Sequence, residues 1–149
     1  MSVPVSKRSQ STCLAVCKAD ELCAYTVKIC SNEKNFPKRY RWCLTNKIVD
    51  SAVNVDRFAS AANSIRVTDT VSHQIRRGYQ LRSFAESKSL ESMVRIAYNT
   101  FHIDDSRIEY WAQLIYDVQN LLYAWIKSEE TENDKVSVVN EVGSLPELY

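Results

Sequence analysis

Apolar residues step through the last third of the chain at intervals of three and four. Ile108, Trp111, Ile115, Val118, Leu122 and Trp125 form a heptad seam sustained for over two heptads. Such a seam belongs to a helix packed on its neighbours at shallow angles. The pattern predicts a helix running to about Lys127. A capping box should open it at Ser106-Arg107-Ile108-Glu109, with Ser106 accepting from the backbone and Glu109 reaching back. A second stripe, Tyr40, Leu44, Ile48, Ala52, Val55, Ala59 and Ala62, predicts a helix over about 37–63, with Pro37 at its first position. Ile75, Gly78, Leu81, Ala85, Leu90, Met93, Ala97 and Phe101 predict a third over about 70–101, with a polar stretch at 83–92 where a kink is expected. Leu14, Cys17, Leu22, Tyr25 and Ile29 recur less regularly and predict a first helix over about 12–31. Joined by short connections, four helices must run up-down-up-down. The expected fold class is all-α, an up-down-up-down four-helix bundle.

Composition agrees with this. The chain has 149 residues, which suits one domain, and only two glycines and three prolines, too few for a turn-rich sandwich or barrel. The expected organisation is a flexible N-terminal arm over 1–11, the bundle over 12–127, and an acidic, mostly disordered tail over 128–149. Docking of Val136, Val138, Val139, Val142 and Leu145 on a neighbouring surface is the alternative for the tail. No run approaches the roughly 18 apolar residues of a membrane span, and the polar N-terminus has no run of signal length. A cytoplasmic location with reduced thiols is therefore expected.

Charge changes the picture more than composition does. The net charge is +1, but residues 1–79 hold 13 Lys/Arg against 6 Asp/Glu, and residues 80–149 hold 6 against 12. A basic first half and an acidic end follow.

Catalytic patterns do not emerge. His73 and His102 have no partner at a useful spacing, and no phosphate-cradling glycine loop or nucleophile elbow occurs. The expectation is a non-catalytic protein with no cofactor and no metal. Of the five cysteines, Cys13 and Cys17 share a helical face at a spacing that can bind metal. Cys23 and Cys30 lie well around the helix from them, and no C-x-x-C occurs, so buried small hydrophobes are the preferred role for the set. Tyr98, Tyr110, Tyr116 and Tyr123 read as core or interface residues.

The densest local information lies between helices 1 and 2. Lys34, Lys38, Arg39, Arg41 and Lys47 fall within 14 residues, interleaved with Phe36, Tyr40 and Trp42. Arg76 and Arg77 add charge early in helix 3. In an antiparallel bundle they should lie toward the opposite end, with Lys7, Arg8 and Arg66. The basic residues would then form a stripe that suits phosphate, helped by the N–H groups that open helix 2.

The run Phe36-Pro37-Lys38-x-x-Arg41-x-x-Leu44-x-x-Lys47-Ile48, with Ala61-Ala62-Asn63 at the helix end, resembles the four-helix-bundle family of ribosomal-RNA intervening-sequence proteins. Within it, the accessory variability determinants of diversity-generating retroelements are the nearer likeness. Arg77 and Trp125 fall where that family has an arginine early in helix 3 and a tryptophan ending helix 4. The resemblance spans roughly residues 18–127. It implies a non-catalytic accessory protein that assembles as a pentameric ring. It also implies binding of a partner reverse transcriptase and its template RNA or cDNA, in support of mutagenic reverse transcription. Carried over position by position, Lys38, Arg41, Lys47 and Arg77 would be the basic contacts. The chain departs from the family in being near neutral overall, although residues 1–127 alone hold 18 basic against 12 acidic groups. The rival expectation is a helical-bundle interaction scaffold with no nucleic-acid role.

Overall fold

The structure, a computed structural model, describes residues 10–140, with side chains over 14–130. Four helices dominate: α1 (Gln10–Cys30), α2 (Asn46–Ser64), α3 (Thr70–Thr100) and α4 (Asp105–Asn140), with no strand among the described residues. A 3₁₀ turn (Lys38–Tyr40) and a π-helical turn (Arg41–Thr45) lead into α2. α1 packs on α2 and α4, and α3 packs on the same two. Consecutive helices are antiparallel. Tyr25, late in α1, donates its hydroxyl to the Arg107 carbonyl early in α4. At the far end Arg76, early in α3, donates to the Ala62 carbonyl late in α2.

The expected seam of α4 and stripe of α2 are the core. Trp111, Val118 and Leu122 are fully buried, as are Ile48, Ala52, Val55, Ala59 and Ala62. Trp111 carries its polar atom inward at little cost because its Nε1–H meets Thr26 Oγ1 at 3.0 Å. The Thr26 hydroxyl in turn donates to the Leu22 carbonyl at 2.8 Å.

Besides α2, which begins at Asn46 rather than at Pro37, three helices differ from expectation. In α1 the buried stripe is Ala15, Ala19, Leu22, Thr26 and Ile29, while Leu14 and Cys17 are exposed. Small side chains face one another across α1 and α2, where the larger Leu14 had drawn the reading off phase. In α3 the correction is wider. Ile75, Leu81 and Ala85 are exposed, and Gln80, Ser83 and Ser87 occupy the buried face. Their side-chain donors are hydrogen-bonded: the Ser83 hydroxyl donates to the Val55 carbonyl at 2.7 Å, the Ser87 hydroxyl to the Phe84 carbonyl at 2.5 Å and Gln80 Nε2 to the Glu129 carboxylate at 3.2 Å, while Gln80 Oε1 has no partner. The helix runs unbroken through 83–92. Gly78 lies on the exposed side, and a Cβ there would meet nothing within 4 Å. Gly78→Ala should stabilise the fold by about 1 kcal/mol, read as a higher urea midpoint at unchanged slope. A lower midpoint would contradict the exposed placement.

α4 differs at both ends. Asp104 stands at its start, its carbonyl accepting from the N–H groups of Arg107 (3.1 Å) and Ile108 (3.0 Å). Ser106 thus lies inside the helix and cannot serve as its cap. At the other end α4 passes Lys127 and continues to Asn140, with no glycine or proline before Gly143 to stop it. Residues 128–140, expected as disordered tail, are helical backbone here. Of the arm expected over 1–11, residues 10 and 11 are already in α1; 1–9 and the rest of the tail over 141–149 lie outside the described residues, as do the side chains of the valine set.

Candidate nucleic-acid interface

The chain reverses at Asn32. Its carbonyl accepts from the N–H groups of Asn35 (3.1 Å) and Phe36 (2.9 Å), and its Oδ1 accepts from the N–H of Lys34 (3.0 Å). This turn drops Phe36 into the core, where its ring meets Phe101 at 5.4 Å and Trp111 at 5.9 Å, both edge-on. Pro37 follows in extended geometry (φ −57°, ψ 140°), one residue before the helical turns rather than inside them. An extended residue is what carries the chain out of the Phe36 pocket. The Pro37 carbonyl takes the Tyr40 N–H at 3.1 Å, so that amide, expected to be open to phosphate, already has a partner.

The two turns that follow differ in how tightly they wind. Three residues wind tightly, then five wind loosely, closed by the Asn46 N–H on the Arg41 carbonyl. Short π-helical turns are uncommon and recur at functional sites. Here the pair brings Tyr40 and Leu44, both half-buried, onto the core, with the Tyr40 ring 4.9 Å from Phe101. Thr45 is buried as well, and the remaining side chains of the two turns are exposed. Lys34, Lys38, Arg39, Arg41 and Lys47 are all exposed, and Trp42 is 83% exposed. Arg39 lies over the Tyr40 ring at 5.3 Å. Glu33 is the one acidic residue between Glu21 and Asp50. It stands 3.8 Å from Lys38 Nζ and 3.9 Å from Arg41 Nη2, with all three side chains largely in solvent. Pairs so exposed contribute well under about 1 kcal/mol and yield readily to a competing anion.

Five of the seven basic candidates thus fall on the segment from Lys34 to Lys47; Arg76 and Arg77 do not. α2, 19 residues long, holds the two groups about 28 Å apart. Arg76 pairs with Glu129 (2.6 Å), donates from Nε to the Ala62 carbonyl (3.1 Å), and also donates to the Ile65 carbonyl. Arg77 pairs with Glu130 at 2.9 Å. Gln80 Nε2 and Trp125 Nε1 donate to the same Glu129 carboxylate, at 3.2 and 3.0 Å. These two arginines tie α2, α3 and α4 together, and two carboxylates read from sequence as tail are their partners. Arg66 is exposed at that end, and Lys7 and Arg8 lie outside the described residues.

Sequence reasoning missed two features. Trp42 entered it only as an interleaved ring. The signal was present, since Trp42 falls between the stripe positions Tyr40 and Leu44. The second is a carboxyl pair between α1 and α2, for which the sequence carries no signal. Asp56, half-buried, is hydrogen-bonded to Asp20. Burial first, then that bond and the Asp20 charge, push the Asp56 carboxyl up to about 7. The folded form therefore keeps a proton that the unfolded chain releases near its ordinary 3.8. The stability this group contributes is fully present below that lower value and is lost as pH rises toward about 7. Asp56→Asn should remove this slope and stabilise the protein at pH 8 by about 1 kcal/mol, a figure reduced for the exposed half of the group. Urea midpoints of the parent and the variant at low and high pH check it; a gap between the two that stays the same across that window would contradict the assignment.

The cysteines divide. Cys30 is buried, and burial pushes its thiol up to about 12. Cys23 is half-buried, whereas Cys17 and Cys43 are exposed and so do not fill the core positions expected of them. The Cys13 side chain lies outside the described residues, and no group of three or more His, Cys, Asp or Glu converges among those described. No helix of the described residues is long and apolar enough to cross a membrane.

Comparison with family models, curated proteins and solved structures finds no significant match.

Proposed function

We propose that this chain is a non-catalytic adaptor that binds RNA or cDNA through the turn preceding α2, and that it serves a partner reverse transcriptase as the family resemblance implies. One observation carries the nucleic-acid part: five exposed cations and an exposed tryptophan on the segment from Lys34 to Lys47, which Phe36, Tyr40 and Leu44 anchor to the core. Such a surface offers several phosphates a contact without reorganising the bundle. Lys38, Arg41 and Lys47 lead in this role, with Lys34 and Arg39 beside them. Arg76 and Arg77 act in it only indirectly, by fixing the helices.

Assembly into a ring of five copies belongs to the same reading. Tyr98, Tyr110, Tyr116 and Tyr123, each between 42% and 57% exposed, supply apolar area for contacts between copies. Light scattering tests that part, and a single-chain mass would remove it. The nucleic-acid part is tested by titrating a structured RNA with the full chain at low salt. Saturable binding is expected, and its absence there would leave an interaction scaffold as the better description.

A further inference from the structure

Trp42 makes no use of its ring inside the protein. The other two tryptophans, Trp111 and Trp125, are 0% and 1% exposed, while Trp42 is 83% exposed. Its outward position is fixed. Tyr40 and Leu44 pin the turn on either side, and the Asn46 N–H bond to the Arg41 carbonyl closes it. An aromatic anchor for a protein partner normally sits within apolar neighbours that exclude water around it. Trp42 lacks them on its own turn: the exposed residues there are Lys38, Arg39, Arg41, Cys43 and Lys47. A lone ring among cations is the chemistry of single-strand binding, where bases stack on the ring and cations follow the backbone.

We infer that Trp42 is a stacking platform for an unpaired nucleobase, with Lys38, Arg39 and Arg41 holding the adjoining phosphates. The turn therefore takes single-stranded RNA or DNA, or the loops of a folded RNA, in preference to duplex. This rests on the nucleic-acid reading above and narrows it to a class of ligand. Duplex offers phosphates but no free base face, so only the single strand engages both parts of the turn.

The probes are an oligo-adenylate RNA and an RNA duplex of equal length, titrated against the full chain, Trp42→Ala and Trp42→Phe. With the other two tryptophans buried, quenching of solvent-exposed tryptophan emission reports Trp42 directly. Trp42→Ala is expected to weaken single-strand binding about tenfold and to leave duplex binding within about twofold, with Phe restoring most of the loss. The exposed ring contributes nothing to the core, so thermal melts of all three proteins should superimpose. Unchanged single-strand affinity in Trp42→Ala, alongside loss of binding when the lysines and arginines are reversed, overturns the stacking role and leaves phosphate binding standing. Failure of the parent to bind either probe overturns both. Binding of poly-glutamate as tightly as oligo-adenylate, with the same loss in Trp42→Ala, overturns the nucleobase assignment in favour of an acidic protein partner.

Discussion

Glu129→Ala should cost the fold about 3 kcal/mol, the largest loss expected from one substitution outside the apolar core. Glu129 and Arg76 are 13% and 18% exposed at their side chains, so little water remains to take over when the carboxylate goes. Three donors lose their acceptor together: Arg76 Nη1, the fully buried Gln80, and the Trp125 ring N–H. Breaking such a pair by removing one partner costs more than the pair contributes net, because the surviving charge stays desolvated. Glu130→Ala is the matched control. Its pair with Arg77 is 39% exposed on the glutamate side, and its loss should cost about 1 kcal/mol or less. Urea midpoints at constant slope read both values. Equal, small losses would show that the α4 extension is not held where the structure places it.

Lys38→Glu, Arg41→Glu and Lys47→Glu combined should weaken RNA binding by about a hundredfold or more while leaving the melting temperature within about 2 °C. Each change replaces attraction to a phosphate by repulsion, so the three act in the same direction. All three side chains are exposed, and the two ion pairs lost, both to Glu33, are of the weakest kind. Reversal of Arg76 and Arg77 should instead unfold the bundle end, for the reasons given for Glu129. The contrast separates cations that serve a ligand from cations that serve the fold.

How far the sequence could be read depended on what each residue type signals. The α4 seam and the α2 stripe were legible because apolar residues recur there at steps of three and four without interruption, and period is the strongest signal a helix leaves. The α1 stripe was half hidden because Ala15 and Ala19 are small and Thr26 is polar, yet all three are fully buried. The start of α3 misled more thoroughly. Ser83 and Gln80 earn burial through partners on α2 and α4 that no local pattern reveals. Glu129 and Glu130 resembled tail for the same reason: a carboxylate reads as solvated until its arginine is known. In the candidate interface, the charge cluster was visible in sequence. That Pro37 is extended, that a π-helical turn follows, and that Trp42 therefore stands clear required the backbone.

The central claim is that the turn before α2 grips phosphate. The most direct measurement is the affinity of the parent protein for a structured RNA across a salt series. Contacts from three to five cations predict log affinity falling linearly with log salt, at a slope between about −2 and −4. A slope near zero, or no binding at the lowest salt, would contradict the account.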